Sequence, residues 1–399
     1  MNRRQFLASA AGFSSLALID SLTFGGDSEG GELTKHRITA IDFQQVDLRW
    51  PRQVGRNAVK GIHGRGPRAT VCVLKTNQGA IGWGMIRGNR RSVTAISERV
   101  VGKSVESLFV PSSGVAAPYL NPLDFALHDL AGVILEMPVW KMVSGSDPKK
   151  PFVAPIYSGM IYFDDLDPTE SPAGVDKLIE ECKWDYNYGY RQFKLKIGRG
   201  HKWMKPSSKG MERDILAVRT IAREFPDCDI LVDANNGYTV NDCIEFLEGV
   251  KGVPLFWIEE PFHETVADYR RLKRQKDQLG FAKTYLADGE ARPDTAVLEK
   301  LQAEKILDIR LEDIVGFGFT PWRQLLKGLI QKQVLASPHT WGSGLKTVYV
   351  AHLAGGLGNV PTIEGVTCSH DDFDIGENVI RDGKQQVSSQ GGFGMKLKT

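Results

Sequence analysis

Three stretches in the middle of the chain each place a carboxylate just after an apolar, strand-like run: Leu231-Val-Asp-Ala-Asn-Asn-Gly-Tyr238, Phe256-Trp-Ile-Glu-Glu-Pro-Phe262 and Tyr285-Leu-Ala-Asp-Gly-Glu290. Asp233, Glu259 and Glu290 are separated by about one strand-plus-helix unit each. In a parallel barrel they would end successive strands on one face, where barrel enzymes assemble their active sites. Three hard oxygen donors converging there suit Mg²⁺.

Two further groups could handle protons. In Arg191-Gln-Phe-Lys-Leu-Lys-Ile197, Lys194 and Lys196 are two residues apart on a strand, so both face one way while Phe193, Leu195 and Ile197 face the other. Burying two lysines together makes sense beside carboxylates and an anionic substrate. Their mutual repulsion and a nearby divalent cation would each lower a lysine pKa, as a general base requires. In the second group, Asp313 and His339 stand at the ends of the sixth and seventh strand-like runs, where a carboxylate could fix the imidazole tautomer and raise its basicity. Glu364, at the end of the eighth run, could donate to a developing oxyanion if protonated, or form a simple salt bridge.

The elements that must position these groups lie after Pro151. Strand-like runs near 152–158, 192–197, 229–233, 255–259, 284–288, 306–312, 334–338 and 361–364 alternate with helix-length amphipathic segments. Eight such runs suggest a closed barrel. The rival, a doubly wound open sheet, usually carries a glycine-rich phosphate loop after its first strand, and Tyr157-Ser-Gly-Met-Ile is not one. Before Pro151 the rhythm differs. Val71 to Gly84 reads as strand, turn at Asn77 to Gly79, and strand, and Asn121 to Gly132 as a helix with Asn121 as its cap, which makes an α+β unit.

Composition narrows the class without naming a reaction. The chain has 399 residues, 42% hydrophobic and 25% charged, with a formal net charge of +2, so no bulk electrostatic argument favours nucleic acid or an anionic membrane. Five cysteines, at 72, 182, 228, 243 and 368, include no CxxC pair and read as buried, inert thiols.

The motifs, in this order and spacing, resemble the enolase superfamily in its mandelate racemase branch, over most of the chain after about residue 36. The resemblance implies a modified TIM barrel of (β/α)7β type at 151–375. It also implies an α+β capping domain at 36–150, to which the tail at 376–399 returns. The family's KxK motif matches Lys194 and Lys196, its metal ligands Asp233, Glu259 and Glu290, its dyad Asp313 and His339, and its electrophilic glutamate Glu364. Its signature cap helix resembles Ala126-Leu-His-Asp-Leu-Ala-Gly132. Of the adjacent acids Glu259 and Glu260 the family pattern selects Glu259, and for the fifth strand Glu290 rather than Asp288. The run Ile314 to Thr320 departs from the family's usual glycine pair, and Glu312 sits beside Asp313, which loosens the dyad assignment.

The implied chemistry is Mg²⁺-dependent abstraction of the proton α to a carboxylate through an enediolate, with a symmetric homo-oligomer common in the family. An acid-sugar dehydratase is the expectation, because the cap loop Val54 to Arg68 is rich in glycine and basic donors suited to a hydroxylated acid, a dicarboxylic one included, with Arg56, Lys60 and Arg65 as candidate contacts. A racemase or epimerase is the alternative, and a sugar-acid binding protein without turnover is a third reading. At the N-terminus, Arg3-Arg4-Gln-Phe-Leu7 and the short apolar run after it resemble a twin-arginine export signal, implying a periplasmic protein, with Gly25 to Glu32 as a linker.

Overall fold

Apolar alternation sets the plan of both layers. In the computed structural model, which describes residues 26–145, 148–290 and 292–398, the cap is a three-stranded antiparallel meander. Its strands are β1 (Ile38–Asp47), β2 (Arg68–Thr76) and β3 (Ile81–Met85), and the β2–β3 turn uses Gly79 at a φ of 83°. The segment read as a linker is instead a helix, Gly26–Lys35. It is held by burial of Leu33 in the cap core and by a 2.6 Å hydrogen bond from Thr34 Oγ1 to Glu106 Oε2. Residues 2–20, which resemble an export signal, lie outside the described residues.

The cap helix begins later than its sequence suggests. A 3₁₀ turn, Pro118–Leu123, leads into the helix Asp124–Ile134, so Asn121 is not its cap. Pro122 has no N–H to lose in the tight turn. Asp124, rather than capping its own helix, accepts from Thr320 N (2.9 Å) and Thr320 Oγ1 (2.7 Å) on a barrel helix.

Eight parallel strands follow: β4 (Ile156–Ile161), β5 (Gln192–Lys196), β6 (Asp229–Asp233), β7 (Leu255–Glu259), β8 (Tyr285–Asp288), β9 (Ile309–Arg310), β10 (Leu335–Ala336) and β11 (Ile363–Gly365). Their order is sequential, with β11 beside β4, and each crossover carries a helix, as in a (β/α)7β barrel. The seam between β10 and β11 is joined by loop hydrogen bonds, Ala336 N to Asn359 O (3.1 Å) and Ser337 Oγ to Thr362 O (2.8 Å). Inward positions Tyr157, Leu231, Trp257, Ala287, Ile309 and Leu311 form a dry plug, while Leu195, Val232, Ile258 and Leu286 face the helices. The register pairs Lys196 with Asp233 and Asp233 with Glu259, which lines up the C-terminal ends of β5, β6 and β7.

The tail returns to the cap. Asp129 accepts from Phe393 N (2.8 Å) through one carboxylate oxygen and from Trp83 N (2.9 Å) through the other, tying tail and cap sheet to one helix. The five cysteines are unpaired and four are buried. Among the described residues no helix is long and apolar enough to cross a membrane.

Candidate active site at the ends of the barrel strands

The plug residues Leu231 and Trp257 precede Asp233 and Glu259 by two positions, so the same alternation that buries an apolar layer lifts a carboxylate above it. Asp233, Glu259 and Glu290 each offer an oxygen within 4.8 Å of the others. Glu259 Oε2 and Glu290 Oε2 are buried with no hydrogen-bond partner, which leaves acceptor capacity for a cation. Burial and the Asp233 charge push the Glu259 carboxyl well above its usual range. Burial opposes ionisation of Asp233 too, but Lys196 and Lys194 outweigh it and hold that carboxyl low.

The two neighbouring acids are sorted by backbone geometry. Asp288 points away from the triad and accepts from the Tyr269 hydroxyl and from Gly289 N (2.6 Å). Glu260 has a φ of 40°, so it is turned out of strand alternation, and Asn235 Nδ2 reaches its Oε2 at 3.4 Å. It is nonetheless buried near the triad. Burial and the Glu290 and Asp233 charges drive its carboxyl well above the usual range.

Lys194 lies at the centre of the acids: its Nζ is 2.9 Å from Glu259 Oε1, 3.1 Å from Glu364 Oε1 and 3.3 Å from Asp233 Oδ2. Lys196 pairs with Asp233. The lowered pKa expected of these lysines is not what surrounds Lys194. Burial works in that direction, but Glu259 and Glu364 prevail and hold the ammonium charged. Of the two roles open to Glu364, the geometry displays the ion pair. Burial opposes its ionisation, Lys194 and His339 override that, and its Oε2 accepts from Thr340 N at 2.7 Å. Gly159 makes room for it, since a Cβ there would stand 2.6 Å from Glu364 Oε1.

The dyad forms. His339 Nδ1 is 3.1 Å from Asp313 Oδ2, and its Nε2 is 3.1 Å from Glu290 Oε1. Asp313 is further fixed by Lys346 Nζ (2.6 Å) and by the amides of Val315 (3.0 Å) and Gly316 (2.7 Å). Glu312, the competing acid, is taken by Arg310. Lys196 against Asp233 and His339 against Glu290 thus bracket the triad from two ends.

Sequence reasoning missed the wall of the site. Tyr162, just past β4, has its ring 5.0 Å from Lys196 Nζ and stacks on Trp341 (4.7 Å), which in turn meets Trp50 (4.9 Å). The basic residues of the cap loop are not the ones at this wall: Arg56 is spent on Asp167 and on the Trp203 ring, and Lys60 and Arg65 are exposed. His63 is the loop residue that reaches Tyr162 and Trp341. The signal available was Trp341, two residues after His339 in the loop that follows β10.

Residues 177–399, more than half of the chain, match the enolase C-terminal domain-like family. The chain belongs to the enolase superfamily, in its mandelate racemase branch. A galacturonate dehydratase from Geobacillus sp., solved with D-galacturonate and 5-keto-4-deoxy-D-galacturonate, is 29% identical with a TM-score of 0.83, covering 92% of this chain and 95% of that one. A magnesium complex of a mutant of galacturonate dehydratase from Geobacillus sp. gives a TM-score of 0.85 at 29% identity, covering 91% and 93%. The L-galactonate dehydratase of Hypocrea jecorina is 24% identical, covering 90% of this chain and 92% of its own length.

Mg²⁺ is the cofactor of this member of the superfamily, and Asp233, Glu259 and Glu290 are the group that would hold it, a role the orphaned oxygens of Glu259 and Glu290 fit. Its chemistry is the superfamily's Mg²⁺-dependent abstraction of a proton α to a carboxylate through an enediolate.

Proposed function

We propose that the chain is an acid-sugar dehydratase, which removes the α-proton of a polyhydroxy carboxylate and expels the β-hydroxyl as water to leave a 2-keto-3-deoxy acid. The observation that supports it best is the bracketing of the triad by Lys196 and His339, in a chain 29% identical over 92% of its length to a galacturonate dehydratase. Dehydration needs one group to take a proton and a second to give one to the departing hydroxyl. Asp313 accepts from His339 Nδ1, which leaves Nε2 to exchange the proton. Lys194, held charged, offers the substrate carboxylate an ammonium. Mg²⁺, when bound, supplies Lewis-acid stabilisation of the charge that develops on that carboxylate.

The same bracket supports a second reading, a racemase or epimerase in which each group serves one enantiomer. An acid-sugar library incubated with Mg²⁺ and scored for 2-keto acid separates the two. Release of keto acid is the expected result, and inversion at the α-carbon without it rejects dehydration. We also assign residues 2–20 as a twin-arginine export signal; replacing Arg3 and Arg4 by Lys should keep the protein out of the periplasm on fractionation.

A further inference from the structure

The cap loop at 54–64 is seated across the barrel mouth by independent contacts. Val54 N bonds Gly64 O (2.7 Å) to close its base, Phe163 N donates to Arg56 O (3.0 Å), and Trp203 Nε1 donates to Asn57 O (2.5 Å). The Ala58 methyl fills a notch between Gly198 and Gly237, past the ends of β5 and β6. This seat fixes His63. Its Nδ1 lies 2.7 Å from Gly55 O, a pure acceptor, so Nδ1 carries the proton and donates. Nε2 has no hydrogen-bond partner among the described residues.

The imidazole is edge-on to Tyr162 (4.8 Å, 67°) and to Trp341 (5.8 Å, 82°). Tyr162 is the ring facing Lys196, and Trp341 follows His339 by two residues. The loop histidine therefore shares one wall with both proton-handling groups. Burial, together with the charges of Lys60 and Lys196, lowers its pKa to about 4 despite the Gly55 hydrogen bond, so the ring is neutral at pH 7.

We propose that His63 is a specificity-determining residue, whose Nε2 accepts a hydrogen bond from a substrate hydroxyl carried beyond the reacting carbons. The assignment rests on the acid-sugar reading and adds a polarity to it. A lone pair rewards a hydroxyl, whereas a carboxylate or keto oxygen at the same place brings two acceptors together. Monocarboxylic polyhydroxy acids are thereby favoured over dicarboxylic ones that would set their second carboxylate against Nε2.

The test compares wild type, His63→Phe and His63→Gln on a panel of aldonates, uronates, aldarates and deoxy analogues, with Mg²⁺ affinity and melting temperature measured alongside. His63→Phe should raise KM about tenfold to a hundredfold for the preferred acid with a smaller change in kcat. The deoxy analogue lacking the recognised hydroxyl should be handled equally by wild type and His63→Phe, and Gln, which keeps an acceptor, should recover part of the loss. Wild-type KM in a folded His63→Phe protein, or the same loss for every analogue, overturns the assignment. If wild type releases no keto acid from any acid, the dehydratase reading falls separately. Calorimetric titration of the same acids into Mg²⁺-loaded wild type and His63→Phe then decides His63, equal affinities counting against it.

Discussion

Ala58 on the cap loop and Gly237 beyond β6 are complementary in shape: a Cβ built on Gly237 would stand 2.6 Å from the Ala58 Cβ. The absence of a side chain at Gly237, four residues past Asp233, leaves room for the cap loop to close over the end of β6. This fit works together with the hydrogen bonds of Arg56 O to Phe163 N and of Asn57 O to Trp203 Nε1 to make the seat.

Gly237→Ala should therefore unseat the loop, at a cost of about 1–3 kcal/mol typical of overpacking. Steady-state kinetics should show a raised KM, and Ala58→Gly in the same chain should recover most of it. No recovery would place the clash on Ala234 O, which a Cβ on Gly237 would meet at 2.8 Å.

Mg²⁺ should restore activity after exhaustive chelation and raise the melting temperature, by about 2.7 kcal/mol of stability at a hundredfold excess over Kd. Titration calorimetry should rank Glu259→Gln as far more damaging to Mg²⁺ affinity than Glu260→Gln, since Glu259 has the orphaned oxygen inside the triad. The reverse ranking would exchange their roles.

Exchange in D₂O separates the two proton-handling groups. With Lys196 as base and His339 as acid, His339→Asn should still exchange the α-proton while releasing little 2-keto acid, and Lys196→Ala should do neither. The mirrored pattern would swap the two residues. NMR of recovered substrate checks it.

A pH-dependent stability term should come from His352, which is fully buried and accepts from Trp140 N at 3.3 Å. Burial lowers its pKa to about 3, so the folded chain keeps it neutral where the unfolded chain protonates it. Between roughly pH 6.5 and pH 3 the unfolded state binds more protons, and stability falls as pH falls. One such group contributes a slope of about 1.4 kcal/mol per pH unit at most, and His352→Gln should flatten the denaturation midpoint against pH over that window. An unchanged slope would show that His352 titrates alike in both states.

Much of the site is legible in the sequence because its logic is local. Alternation along β5 puts Lys194 and Lys196 on one face, and crossover lengths space Asp233, Glu259 and Glu290 onto successive strands. What was not legible depends on partners far away in sequence. Glu312 yields the dyad to Asp313 because Arg310 claims it, and Glu260 leaves the triad because its backbone enters the left-handed region. Gly26–Lys35 is helical, where composition suggested a linker, because Leu33 finds the cap core.

The sequence by itself thus determined the barrel, the carboxylate triad and the lysine pair, all of which follow from short-range periodicity. Tertiary structure alone decided that Glu364 is paired with Lys194, that Arg56 is committed to Asp167, and that His63 with Tyr162 and Trp341 lines the mouth. Ion pairing and ring packing are settled by whichever groups arrive within a few ångströms, and that distance is a property of the closed fold rather than of any one segment.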